Sequence, residues 1–142
     1  MRSPELEALV RAWFEAASTG STALIERHVA IESEARLIGS DPGEWFVGGA
    51  AVAEFLRGEV HGAAGNVSFV PSDTEAFSVG DVGWATTKLT VSMPDGRRVQ
   101  PRWSAVFRRE EGTWRIVQLH ASIAVPNEQI GWVYPEAAPQ GR

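Results

Sequence analysis

The feature that most constrains this chain is a change of hydrophobic period near residue 65. Ahead of it, the apolar residues follow a helical repeat. Leu6, Leu9, Val10, Trp13, Phe14 and Ala17 share one face of residues 4 to 18, the i, i+3, i+4, i+7 spacing of an amphipathic helix. Ser3 suits its N-cap, Pro4 its first position and Gly20 its stop. "TALIERHV" predicts a short second helix with Leu24, Ile25 and His28 on one side, and "ESEARLIG" a short strand. Residues 50 to 60 predict a third helix, with Val52, Phe55, Leu56 and Val60 as its stripe. Beyond the change come "NVSFVPSDTEAFSV", "VGWATTKLTVSM", "RRVQPRWSAVFRR" and "TWRIVQLHASIAV", all rich in β-formers. Gly80-Asp81, Pro94-Asp95-Gly96 and Glu111-Gly112 punctuate them as hairpin turns. Strands joined so briefly pair antiparallel. Pro71 and Pro101 belong at edges or bulges.

Three helices followed by a four-strand meander make an α+β chain. The helices must cover one face of the antiparallel sheet. Curvature at Gly83 and at the prolines would turn that sheet into a cone, with a cavity between sheet and helices. The tail from Pro126, with Pro135 and Pro139, has no periodicity and is expected to wrap the surface or a partner subunit.

Length and composition narrow the function. A chain of 142 residues forms one domain with a real core. Its net charge of -5 argues against nucleic-acid binding, and no apolar run is long enough to span a membrane. The start "MRSPELEALV" lacks a signal peptide's apolar segment, and there are no cysteines, so a cytoplasmic protein is expected. Six tryptophans against one tyrosine are unusual, and they serve either a packed core or, as the sharper reading, a large apolar cavity with ring-lined walls.

One loop draws these threads together. "GSDPGEWFVGG", residues 39 to 49, places Trp45 and Phe46 beside Asp41 and Glu44. Lying between the first strand and the third helix, it should stand at the cavity mouth, with the two rings as an apolar rim. Asp41 and Glu44 are then acid-base candidates, Glu44 being the residue most apt to touch a ligand. No metal-ligand spacing, phosphate loop, dinucleotide fingerprint or nucleophile elbow is present, so no metal and no cofactor are expected.

Helix pair, strand, "IGSDPGEWFVGG", helix and a meander ending "VFRREEGTWRIVQLHASIAVP" together resemble the SnoaL-like branch of the nuclear-transport-factor-2-like superfamily. The final hairpin is the most specific part: a basic-acidic-Gly turn, Trp114, Ile116, then His120 and Ser122. The association domain of calcium/calmodulin-dependent kinases ends similarly. The resemblance covers residues 1 to 125 and implies a cone-shaped α+β barrel, commonly a homodimer formed across the sheets. Residues 126 to 142 are the tail.

Catalytic positions of that superfamily do not carry over directly. The isomerase-like general base would fall at or near Arg36, and a guanidinium is no base. The isomerases' first-helix Tyr is replaced by Trp13 and Phe14, and the cyclases' last-strand acid by Ala121. Alternation on the last strand groups Trp114, Ile116, Gln118, His120 and Ser122 against Arg115, Val117, Leu119, Ala121 and Ile123. With the second group facing the cavity, His120 points to the outer face and a dimer contact. A slip of one residue would instead make it an acid-base candidate. Arg102 is expected either in a salt bridge with Glu34 or Glu44 or as anchor for an acidic ligand. His28 is expected as a satisfied core residue. Phe55, Trp84, Trp103, Leu119 and Ala121 complete the expected lining. Two small-molecule readings follow: a binding protein with an aromatic pocket, or a cofactor-independent isomerase, cyclase or hydrolase. An assembly module is the third.

Overall fold

A computed structural model describes residues 1–131 of the protein. The expectation for the tail beyond residue 131 lies outside the described residues. Helix α1 (Pro4–Thr19) starts where Ser3 Oγ accepts the Leu6 N–H at 3.2 Å, and ends at Gly20 in the left-handed region. It buries Leu6, Val10, Trp13 and Phe14, each such side chain contributing about 1.5–3 kcal/mol. Helix α2 (Ala23–His28) is short. His28 Nδ1 lies 2.8 Å from the Trp114 carbonyl, the satisfied role expected of it. Strands β1 (Arg36–Ile38) and β2 (Trp45–Val47) form a small hairpin, so the loop read as a connector contains a strand of its own. Helix α3 (Gly49–Ala63) buries Val52, Leu56 and Val60.

Five further strands follow: β3 (Ser68–Val79), β4 (Val82–Ser92), β5 (Arg98–Val99), β6 (Arg102–Glu110) and β7 (Thr113–Ser122). They join β1 and β2 in one sheet of order β2-β1-β7-β6-β4-β3, with β5 also paired to β4. Every pairing is antiparallel except β1 with β7, where the helical N-terminal half allows a parallel return. Pro71 sits on β3 at the end of that order, where a missing N–H costs least. The opposite side of β3 is partly covered by the N-terminus, through Ser3 N–H to Ala76 O and Ser78 N–H to Met1 O.

Two bulges bend the sheet around the helices. In β3 the register shifts between Ser72 and Glu75, with Asp73 at φ 51°, and Thr87 Oγ1 satisfies the Ser72 carbonyl at 3.0 Å. In β7 it shifts opposite Val106 and Phe107, leaving Val117 as the extra residue. Gly83 lets α1 approach the bend: a Cβ there would stand 2.4 Å from Leu6 Cδ1.

Candidate functional site

Between the concave sheet face, α1 and α3 lies a cavity of about 480 Å³, within the range that holds small ligands. Its lining is mainly apolar. Helix α1 supplies Trp13 and Phe14, α3 supplies Phe55, Glu59 and Val60, and the strands supply Leu37, Phe69, Leu89, Val91, Trp103, Leu119 and Ala121. Trp103 is 5% exposed and meets Phe14 edge-on, with centroids 5.2 Å apart. The indole N–H of Trp114 donates to Glu5 Oε1 at 3.1 Å. Those of Trp13 and Trp103 have no hydrogen-bond partner among the described residues, and neither is sealed from solvent. Both residues line the cavity.

Two carboxylates complete the wall, Glu44 and Glu59. Glu44 arrives through the β1–β2 turn. Asp41 Oδ2 accepts the Gly43 N–H at 3.2 Å, the Glu44 N–H donates to Asp41 O at 2.9 Å, and Glu44 Oε1 accepts the Asp41 N–H at 3.3 Å. The Glu44 side chain folds across Gly39, where any Cβ would stand 2.1 Å from Oε1. Asp41 itself is exposed and builds the turn, so it does not reach the cavity.

Glu59 is the residue sequence reasoning passed over. It lies four positions after Phe55 and one before Val60, on the apolar stripe of α3, and that placement was its signal. Its side chain is exposed to solvent and also borders the cavity, among apolar neighbours that partly desolvate it. Desolvation therefore raises its pKa above the ordinary carboxylate value, and repulsion from Glu44 adds to the rise. Neither carboxylate has an ion-pair partner among the described residues.

A raised carboxyl pKa has a definite linkage sign. Between the unfolded value near 4.5 and the higher folded one, the folded state holds the extra proton. The stability this adds is present below the unfolded value and lost as pH rises through the folded one. Glu59→Gln is therefore expected to flatten that decline and to be more stable than the parent at neutral pH. Urea denaturation at a series of pH values from 4 to 8 checks it; parallel curves for the two proteins would refute it.

Several expected lining residues stand elsewhere, for one physical reason: strand alternation. On β2, Phe46 turns inward with Leu37 and stacks on Phe55 at 4.3 Å, backing the wall from behind. Trp45, its neighbour, therefore turns outward and is 65% exposed, so it forms no rim. On β4, Gly83 and Ala85 face the core, which places Trp84 on the outer face, stacked on Phe77. On β6, buried Trp103 fixes Arg102 outward. Arg102 makes no salt bridge among the described residues, to Glu34 or Glu44 or any other carboxylate. His120 also points outward, beside Arg102, Lys88 and Ser104 along an open polar groove across the sheet from the cavity. Arg36 donates to the Ser33 and Ala35 carbonyls, and Leu37 is the β1 residue on the cavity wall.

Among the described residues, no group of three or more His, Asp or Glu could hold a metal ion, and no helix is long and apolar enough to cross a membrane. The model of the SnoaL-like domain matches residues 6–126. No functionally curated protein matches the sequence. Among solved structures, a protein of unknown function from Pseudomonas putida with a nuclear-transport-factor-2-like fold is similar at 16% identity and a TM-score of 0.74. That match covers 97% of this chain and all of the other. A candidate dehydratase from Streptomyces avermitilis is similar at 18% identity and a TM-score of 0.65, over 84% of this chain and 92% of its own. A candidate ketosteroid isomerase from Shewanella frigidimarina is similar at 14% and 0.66, over 81% and 92%. At such identities the structural likeness concerns the fold. With the domain model covering nearly the whole described chain, this protein belongs to the SnoaL-like domain family and has the nuclear-transport-factor-2-like fold.

Proposed function

We propose that the protein binds a small, largely hydrophobic molecule in the cavity between α1, α3 and the sheet. The observation that carries this is a space of about 480 Å³, walled by aromatic and aliphatic groups, with two carboxylates as its ionisable lining. A core meant only for stability would close such a void, because unfilled volume forfeits dispersion contacts. The test uses N-phenyl-1-naphthylamine, a neutral dye that brightens in apolar surroundings. Half-buried Ala121 lies on the wall, so the ring of Ala121→Phe would enter the void. The variant is expected to keep its melting temperature and lose at least tenfold in dye affinity. Unchanged dye binding would remove the reading.

A second reading is favoured by Glu59. A carboxyl whose pKa desolvation raises, on the wall of an apolar cavity, suits a general acid-base. In this reading the protein is a cofactor-independent enzyme of isomerase, cyclase or hydrolase type, the first being the candidate activity of the Shewanella frigidimarina protein named above. Incorporation of deuterium next to the carbonyl of lipophilic ketones, lost in Glu59→Gln, would support it; no exchange across a ketone panel would end it. We also propose a cytoplasmic homodimer formed through the outer sheet face, which shows Trp84 and Val82 to solvent at 40% and 47%. A monomer mass by light scattering would contradict the dimer.

A further inference from the structure

We propose that the cavity selects a lipophilic amine, bound as its cation, over neutral or acidic molecules of the same shape. This rests on the small-molecule reading above and names the ligand class. Charge on the wall has a single sign. Among the described residues, Glu44 and Glu59 are its ionisable side chains, and no Lys, Arg or His lines it. The nearby cations are engaged or placed elsewhere. Arg57 of α3 is held by Glu26 at 2.8 Å, while Arg102, Lys88 and His120 lie along the groove on the opposite sheet face.

Two carboxylates beside an apolar space, without a counter-ion among the described residues, repel each other, and Glu59 is partly desolvated as well. A bound cation would relieve both penalties together. An acid would add a third negative charge. The same lining holds Trp13, Phe14, Phe55, Phe69 and Trp103, aromatic rings of the kind that attract an organic ammonium. Trp13 and Trp103 are 7% and 5% exposed and have indole N–H groups without partners among the described residues. They remain available to an acceptor atom on the ligand's body. The complementary ligand therefore has an ammonium end at the carboxylates and an apolar, ring-sized remainder against the tryptophans.

Tryptamine, tryptophol and indole-3-acetate share one body and differ in charge, so calorimetric titration of the three isolates the electrostatic contribution. Tryptamine is expected to bind at least tenfold tighter than tryptophol, with indole-3-acetate the weakest. In Glu59→Gln the tryptamine-to-tryptophol ratio should fall, and in the Glu44→Gln, Glu59→Gln double variant it should drop below about threefold. Equal binding of amine and alcohol, tighter binding of the acid, or a ratio unchanged in the double variant would overturn the charge selection and leave the cavity reading standing. If none of the three compounds bound and N-phenyl-1-naphthylamine did not either, the cavity reading and this inference would both fall.

Discussion

Gly49→Ala is expected to lower folding stability by about 3 kcal/mol or more, at or beyond the upper end of ordinary overpacking. An added Cβ would stand 2.2 Å from Ala30 O, 2.6 Å from Ile31 Cα and 2.7 Å from Ile31 C. All three are backbone atoms, so no side-chain rotation can relieve the clash. The strand-to-helix junction is also tied there by the Gly49 N–H donating to Glu32 O at 3.0 Å and the Gly48 N–H to Ala35 O at 2.8 Å. Relief requires α3 to lift from the 30–32 segment, and α3 carries Phe55 and Glu59 into the cavity. Dye affinity should therefore fall with stability. Gly58, in the same helix, provides the contrast, since nothing lies within 4 Å of a Cβ built on it. Gly58→Ala is expected to stabilise by roughly 0.5–1 kcal/mol through helix propensity alone. Urea denaturation of both variants checks the pair, and equal effects would show that the close approach at Gly49 is unimportant.

The same contrast shows what can be read from a sequence. Elements defined by their own periodicity were legible: α1 from its apolar face and caps, and the meander from its Gly- and Asp-bearing turns. Features defined by partners in three dimensions were not. Strict alternation along β7 sets Trp114 and Ile116 opposite Leu119 and Ala121. The bulge at Val117 puts all four on the inner side, and nothing local in "RIVQLH" announces the extra residue. Its effect reaches the site. Leu119 and Ala121 line the cavity and His120 is turned out, as the alternation had them, but Trp114 and Ile116 join the core as well. Trp45 was misplaced because ring size was weighed above strand parity: on so short a strand, inward Phe46 forces Trp45 outward. Glu59 was visible by helical spacing and was masked by the prominence of the glycine-rich loop. A charged residue on an apolar stripe is a stronger pointer to a site than two carboxylates in a turn, because partial desolvation gives it a cost that some function must offset.

Tryptophan position, then, should separate sharply in mutational effect. Trp103→Ala is expected to cost about 3 kcal/mol, the low end of the range for deleting a buried aromatic ring. The low end applies because one side of the ring already borders the cavity and has few contacts to lose there. The remaining loss is large: the ring is 5% exposed and meets Phe14 edge-on. For a chain of this length the melting temperature should fall by roughly 10 °C. Trp45→Ala, removing a ring that is 65% exposed, should change stability by no more than about 0.5 kcal/mol. Binding should separate them as well. Truncating Trp103 enlarges the cavity and removes a wall, so N-phenyl-1-naphthylamine should bind at least tenfold more weakly, whereas Trp45→Ala should leave its affinity intact. Trp103→Phe, which restores a smaller ring, should recover part of both losses if the ring acts by packing and wall formation. A Trp45→Ala variant that lost dye binding while keeping its melting temperature would place the binding surface at the β1–β2 hairpin, outside the cavity.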